Sequence, residues 1–361
     1  MNVLIVFNHP APYKVQVFNL LAKKVNLTVL FERRKEKSRP EEFYSSNVYN
    51  FKHEIYLNSY YGEEGSYTSK VVKYIKKHHQ EFDLIIMNGY SHIAEMKAIR
   101  YMHNHKIKFA LQINGGIIKK DSAVKKALKT SIISKADYYI SPNEASDEYL
   151  RYYGAKSKIY RYTYSGLLEK DILSKPVKDK TELRKRLGLP LDKKIFINPS
   201  QFIERKNNLK LISLFSNRDE HLVLVGSGVE EEKYREYIAS HKMSNVTIIS
   251  FKEKDELYEL YQASDALISL SKEDIFGHTI IEALSQGLPV ISSKYIVASL
   301  DIIKDDYNGY LVDINNDEEI INAISSVNAG MSENALKSAK DITIEKSAET
   351  LLNVMEEIYA K

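Results

Sequence analysis

The sequence predicts an α/β protein of two domains, each a parallel sheet with helices on both faces. Short continuous runs of Val, Ile, Leu and Phe alternate with helix-length amphipathic stretches along most of the chain. Strands buried on both faces read this way, and parallel strands need crossovers, usually helical, between them. The alternation blurs once, between about Tyr162 and Lys180, where Ser165-Gly166, several Lys and Asp residues and Pro176 give the composition of a linker. A chain of 361 residues is also longer than one hydrophobic core normally serves.

Taken in order, residues 2–7 read as a buried strand, 8–12 as a turn and 13–24 as a helix. Residues 27–31 form the second strand. Residues 32–65 are charged and Tyr-rich with weak periodicity, which suits a loop carrying one or two short strands. A basic helix follows at 69–79, then strand 84–87, helix 93–105, strand 109–113, helix 123–134, strand 138–141 and helix 144–152. The second series places strands at 194–198, 222–225, 246–249, 266–270, 290–292 and 309–312, with helices between them. The last helix, 344–359, has no strand after it.

Hydrophobic residues make up 43% and charged residues 28%, ordinary for a soluble globular chain. Absence of Cys excludes thiol catalysis, disulfides and Cys-based metal sites. The apolar run 3–7 is broken by Asn8, His9 and Pro10, too soon for a signal peptide, and no stretch is long enough to span a bilayer. The expectation is a cytoplasmic chain, with the inner face of the cell membrane as a working place. Residues 1–168 carry 27 Lys and Arg against 15 Asp and Glu, while the remainder carries 25 against 33. Such asymmetry points one half at an anionic partner.

Chemistry concentrates between residues 266 and 293, ALISLSKEDIFGHTIIEALSQGLPVISS. A buried strand, a polar turn at 271–277 and a helix at 279–286 are followed by Gly287, a C-cap residue, and Pro289, which blocks continuation. In this βαβ unit Asp274 precedes the helix, Glu282 sits in its first turns, and Gly277 lets backbone approach a ligand. Amides at a helix N-terminus attract phosphate, which leaves Glu282 to accept hydrogen bonds from ligand hydroxyls. Alone, Glu282 also fits a solvated helix face beside His278 and Gln286.

The run Asp274-Ile275-Phe276-Gly277-His278-Thr279-Ile280-Ile281-Glu282-Ala283 resembles the signature of glycosyltransferase family 4, retaining enzymes of the GT-B fold. That signature is an acid, seven residues, then Glu, with Phe-Gly after the first acid and Glu-Ala at the close. The family usually carries Glu first; Asp274 keeps the charge and shortens the reach by one methylene. The resemblance covers essentially the whole chain and is strongest from 194 to 312. It implies two Rossmann-like domains facing across a cleft, 1–168 for the acceptor and 181–343 for the nucleotide sugar. The helix at 344–361 is then expected to cross back to the first domain.

The activity implied is transfer of a sugar from a nucleotide sugar, with UDP-sugars the first expectation, to an acceptor hydroxyl with retention at the anomeric carbon. A lipid-linked or glycan acceptor in cell-surface glycan or polysaccharide biosynthesis fits, and neither cofactor nor metal is implied. Two other readings stay open: a non-catalytic acceptor-binding subunit, and a nonhydrolysing sugar-nucleotide epimerase.

By the same resemblance Glu282 binds donor ribose, Asp274 holds donor-sugar hydroxyls, and Lys206 stabilises the diphosphate with amides around Gly277, His278 and Thr279. Phe276 belongs to the same donor turn. Relatives place Arg five residues before that Lys; here Gln201 occupies the position, and Arg205 is a candidate source of the missing charge. Gly226-Ser227-Gly228 matches a loop near the donor, although a tight strand-to-helix turn explains it equally. Ser250 and Phe251 lie where relatives hold the base; Phe251 fits the core as well.

In the first domain Tyr13 and Lys14 follow the first strand and are acceptor candidates. Asn114-Gly115-Gly116 ends strand 109–113, and Asn88 ends the strand before it, on the edge where α/β sheets bind ligands. Many relatives carry His where Asn114 stands. Asn114 cannot act as a base, so the leaving phosphate is expected to take the acceptor proton. His92 reads as a helix-start residue. Lys119, Lys120, Lys125, Lys126, Lys129 and Lys135 lie on or beside the helix at 123–134, a basic run that suits either solvent or an anionic membrane. No nucleic-acid motif accompanies the charge, and the ten His residues fit no zinc spacing.

Overall fold

Continuous apolar runs at the predicted places do become parallel strands. The computed structural model describes residues 1–36, 41–57, 60–61, 69–274 and 276–361. The chain divides into two compact units, Met1–Gly166 with Thr343–Lys361, and Leu167–Ile342.

In the first unit β1 (Asn2–Phe7) leads into α1 (Pro12–Leu21) and β2 (Asn26–Phe31), followed by the two-residue β3 (Lys35–Glu36), β4 (Lys52–Ile55) and the two-residue β5 (Tyr60–Tyr61). Then come α2 (Lys70–His78), β6 (Leu84–Asn88), α3 (Ile93–Asn104), β7 (Ala110–Gln112), α4 (Ala123–Ile133), β8 (Tyr138–Ser141), α5 (Glu144–Tyr152) and β9 (Ile159–Arg161). Among the described residues seven of these strands form one parallel sheet in the order β4-β2-β1-β6-β7-β8-β9, and β3 pairs with β5 apart from it. Central β1 and β6 are apolar throughout or nearly so and almost wholly buried, as strands covered on both faces must be.

The outer strands were the hard ones to foresee. β4 falls in segment 32–65, of which residues 37–40, 58–59 and 62–65 lie outside the described residues, and its Lys-His-Glu-Ile pattern is half-buried. β9 was not expected at all. Its middle residue Tyr160 is buried and Arg161 is exposed, the mark of an edge strand.

The second unit opens with α6 (Thr181–Leu187) and continues β10 (Ile195–Pro199), α7 (Asn208–Leu214), β11 (His221–Val225), α8 (Glu231–Ser240), β12 (Val246–Ile249), α9 (Lys254–Ala263) and β13 (Ala266–Ser269). It closes with α10 (His278–Ser285), β14 (Val290–Ser293), α11 (Ser299–Ile302), β15 (Gly309–Val312), α12 (Asp317–Ser326) and α13 (Ser332–Lys340). Its parallel sheet runs β12-β11-β10-β13-β14-β15. The order reverses at β10 and β13, and a reversal of this kind is where open α/β sheets hold ligands at their carboxyl ends.

The last helix, α14 (Ile344–Tyr359), packs on α1 and so returns the chain to the first unit. Thr343 caps it by accepting from the Lys346 amide. Ile344, Ala348, Leu351, Met355 and Ile358 recur at helical spacing and are buried, the larger of them contributing roughly 1.5–3 kcal/mol each.

Candidate active site

Two loops at the carboxyl edge of the second sheet interlock before any ligand is considered. The Ser200 amide donates to Val225 O at 2.9 Å, the Phe202 amide to Ser227 O at 2.8 Å, and the Glu230 amide to Phe202 O at 3.0 Å. A Cβ on Gly226 would lie 2.0 Å from Ser200 O, and one on Gly228 2.4 Å from Phe202 O. These glycines therefore serve loop packing first. Asn208 bonds Asn198 at 2.8 Å and Ser200 at 3.0 Å, fixing the start of α7. A 3-10 turn, Glu204–Lys206, precedes the helix, which begins at Asn208, as the sequence suggests.

That turn aims Lys206 at Asp274, with Nζ 2.5 Å from Oδ2, while Arg205 Nη1 lies 3.8 Å from the same oxygen and 2.7 Å from Glu273 O. The other Asp274 oxygen accepts from the amides of Phe276 at 3.3 Å and Gly277 at 3.2 Å. Burial alone would raise the Asp274 carboxyl. Lys206, the Phe276 amide and Arg205 outweigh it and hold the group below the usual carboxylate range. Lys206 is only 15% exposed, so it is no solvated surface cation. Gly277, at φ 79°, turns the chain into α10, and a Cβ there would meet Ile296 at 2.6 Å.

Glu282 stands on α10, half-buried, and accepts from Tyr261 Oη at 3.2 Å. Tyr261 is fully buried, and burial together with the Glu282 charge raises its phenol well above the ordinary value, so it stays a donor. Sequence reading missed Tyr261 because an aromatic on an amphipathic helix reads as core. Phe276 is buried beside His278, with ring centroids 4.9 Å apart, and Thr279 is half-buried in the first turn of α10. Gln201 and Ser250 are exposed, and Phe251 is 66% exposed, which rules out a core role.

At the carboxyl edge of the first sheet, Asn114 Nδ2 donates to Asn88 Oδ1 at 3.1 Å, and Asn114 Oδ1 accepts from Tyr162 Oη at 3.0 Å. Tyr13 and Lys14 occupy the first turn of α1, and Lys14 is buried. Gly115 adopts φ 154°. Close approach at Gly116 is made by Tyr149, whose ring a Cβ would meet at 2.8 Å.

Glu32, His92 and Glu95 converge here, their ligand atoms within 4.8 Å of one another, as a metal site would require. Charge balance favours another role. His92 Nδ1 lies 3.3 Å from both carboxylates, and Arg33 lies 3.6 Å from Glu32. Burial would lower the imidazole, but Glu32 and Glu95 overcome it and lift it to about 9, so a proton already neutralises the cluster. Glu95 also accepts the His92 amide at 2.9 Å, closing the N-terminus of α3.

A folded pKa above the free value of about 6.5 stabilises fully below pH 6.5 and fades as pH rises through 9. His92→Asn is therefore expected to cost on the order of 2 kcal/mol at pH 6 and little at pH 10, read as the difference from wild type in urea unfolding at each pH. A penalty independent of pH would show that the imidazolium does not hold this corner.

With this geometry in place, relatives bear on it. Residues 179–342 match the family described as Glycosyl transferases group 1. The chain carries a group 1 glycosyltransferase domain. The match covers nearly all of the second unit, including Lys206, Asp274 and Glu282.

The GtfA subunit of UDP-N-acetylglucosamine–peptide N-acetylglucosaminyltransferase from Streptococcus pneumoniae serotype 4 is 33% identical over 94 residues, 26% of this chain and 18% of that protein. D-inositol 3-phosphate glycosyltransferase from Streptomyces bingchenggensis is 28% identical over 204 residues, 50% of this chain and 43% of that protein. The chain thus spans less than half the length of these relatives. HepE of Anabaena in complex with UDP superposes at a TM-score of 0.75 with 17% identity, over 99% of this chain and 100% of HepE. That likeness places the group 1 domain and the rest of the chain in the GT-B fold.

Proposed function

We propose that the chain is a retaining glycosyltransferase that moves a sugar from a UDP-sugar to an acceptor hydroxyl. The Lys206–Asp274 pair at the start of α10, two turns of chain from a Tyr261-held Glu282, is the observation that carries this reading. The donor diphosphate takes over the Lys206 ammonium, releasing the Asp274 carboxylate toward the donor-sugar hydroxyls, and Glu282 accepts from ribose. The anomeric C–O bond to the diphosphate breaks, the acceptor oxygen bonds that carbon on the same face, and the acceptor proton passes to the departing phosphate oxygen. Fixed charge at Lys206 and the α10 amides then stabilises the diphosphate as it leaves.

No base is needed at Asn114, and both of its side-chain atoms already hold partners. Asn114→Asp is expected to fold, since Tyr162 can still donate to it, yet to turn over no faster and to add no acidic limb to the pH profile of kcat. Asn114→Ala should lose about 10-fold in kcat, one ordinary hydrogen bond. Faster turnover in the Asp variant would overturn the phosphate-as-base mechanism. Ultimate proof of the reaction is product NMR: retention of the donor's anomeric configuration supports it, inversion refutes it.

A membrane-associated acceptor fits α4. On α4 Val124 is 80% and Leu128 42% exposed, and Ile118, in the segment before it, is 42% exposed. Asp121 holds Lys125 at 3.2 Å and Lys129 at 2.7 Å, so those two contribute less charge than sequence suggests. No helix among the described residues is long and apolar enough to cross a membrane. Binding to vesicles containing phosphatidylglycerol should fall steeply with salt, about 1 kcal/mol per engaged Lys, and Val124→Glu should abolish it without unfolding the chain. Equal binding to neutral vesicles would return this face to solvent.

A further inference from the structure

Among the described residues of the first unit, Lys14 is the buried cation that has no acid. Its buried basic counterparts in the same unit each lie beside one. Arg33 lies 3.6 Å from Glu32, Lys35 2.5 Å from Glu41, and His9 3.4 Å from Glu36. Lys14 is 2% exposed, and its ammonium faces rings: the centroids of Tyr164, Tyr162 and Phe7 lie at 3.8, 5.8 and 5.9 Å. Cation–π attraction of about 2 kcal/mol when desolvated falls short of the several kcal/mol that burying an ammonium costs. Burial accordingly pulls the amine down to about 7. Filling this space alone would suit Met or Leu, with no charge to desolvate.

The cage also adjoins the polar edge of the sheet. Tyr162, one of its walls, donates to Asn114 Oδ1 at 3.0 Å, and Tyr164, another, donates to Tyr13 Oη at 3.4 Å. Tyr162 therefore flanks the lone ammonium, its ring centroid 5.8 Å away, and bonds the asparagine pair where an acceptor hydroxyl would be oriented. We infer that the Lys14 ammonium recognises an oxyanion, phosphate or carboxylate, carried by the acceptor close to the hydroxyl that is glycosylated. This deepens the acceptor role given to the first unit and rests on that reading. A ligand oxyanion supplies the counter-charge that the fold withholds, so a neutral acceptor of the same shape is discriminated against.

Reductive 13C-methylation of the lysines makes the Lys14 signal visible by NMR, assigned by its loss in Lys14→Met or, should that variant fold poorly, in Lys14→Arg. Glycerol 3-phosphate, acetate and glycerol are titrated with UDP absent and with UDP saturating, in phosphate-free buffer. The expected result is a shift of the Lys14 signal with glycerol 3-phosphate or acetate, a titration midpoint raised by about one unit or more, and no response to glycerol. Which anion acts more strongly tells phosphate from carboxylate.

A silent Lys14 signal with both anions, while UDP still raises Tm, would overturn the inference and leave the transferase reading intact. Loss of the anion response once UDP is bound would also overturn it, since the ammonium would then serve the donor diphosphate. An intact response in a protein that binds no UDP would support the oxyanion site and sink the transferase reading instead.

Discussion

Glu282→Ala is expected to lower kcat/KM for transfer by roughly 10³, the loss of two charge-assisted hydrogen bonds to ribose hydroxyls. The same change strands the buried Tyr261 hydroxyl, which donates to Glu282 at 3.2 Å, and should lower stability by about 1–3 kcal/mol. Glu282→Gln separates the two effects. Its amide oxygen still accepts from Tyr261, so Tm should stay near wild type, yet the carboxylate charge is gone and kcat/KM should fall at least 10-fold. Equal activity in wild type and Glu282→Gln would show that this carboxylate does not meet the donor.

Lys206→Ala should cost about 10²–10³ in kcat/KM, the usual loss when one preorganised charge is removed from a developing anion. Gln201→Ala should cost much less, because Gln201 is exposed and neutral, whereas Lys206 is 15% exposed and fixed by Asp274. Arg205, 3.8 Å from Asp274, softens the loss without replacing it, since its guanidinium is committed to Glu273 O at 2.7 Å. Steady-state kinetics of both variants check the order. A larger defect in Gln201→Ala would move the diphosphate site away from Lys206.

Buried strands were legible because both faces of each are covered, leaving an uninterrupted apolar run such as that of β1. β9 was not, since an edge strand of three residues with one exposed Arg carries little pattern. The turn into α10 was legible from Gly277 and Glu282. What they touch was not: Lys206 and Asp274 are 68 positions apart, and Tyr261 and Glu282 are brought together only when α9 packs beside α10. Phe251 could not be placed from sequence, because a lone aromatic after a strand fits core and surface alike; at 66% exposure it is surface. The Lys14 cage was invisible for a similar reason. Its walls, Tyr162 and Tyr164, lie in the stretch whose composition reads as linker, yet they are buried in the first unit.

Lys206, Asp274 and Glu282 are expected to form one donor site. Calorimetric titration of UDP into wild type, Lys206→Ala and Glu282→Ala tests it most directly. Saturable binding to wild type is expected, weakened at least 10-fold in each variant while both remain folded. Binding of equal strength in all three proteins, or no binding of UDP to wild type, would contradict it.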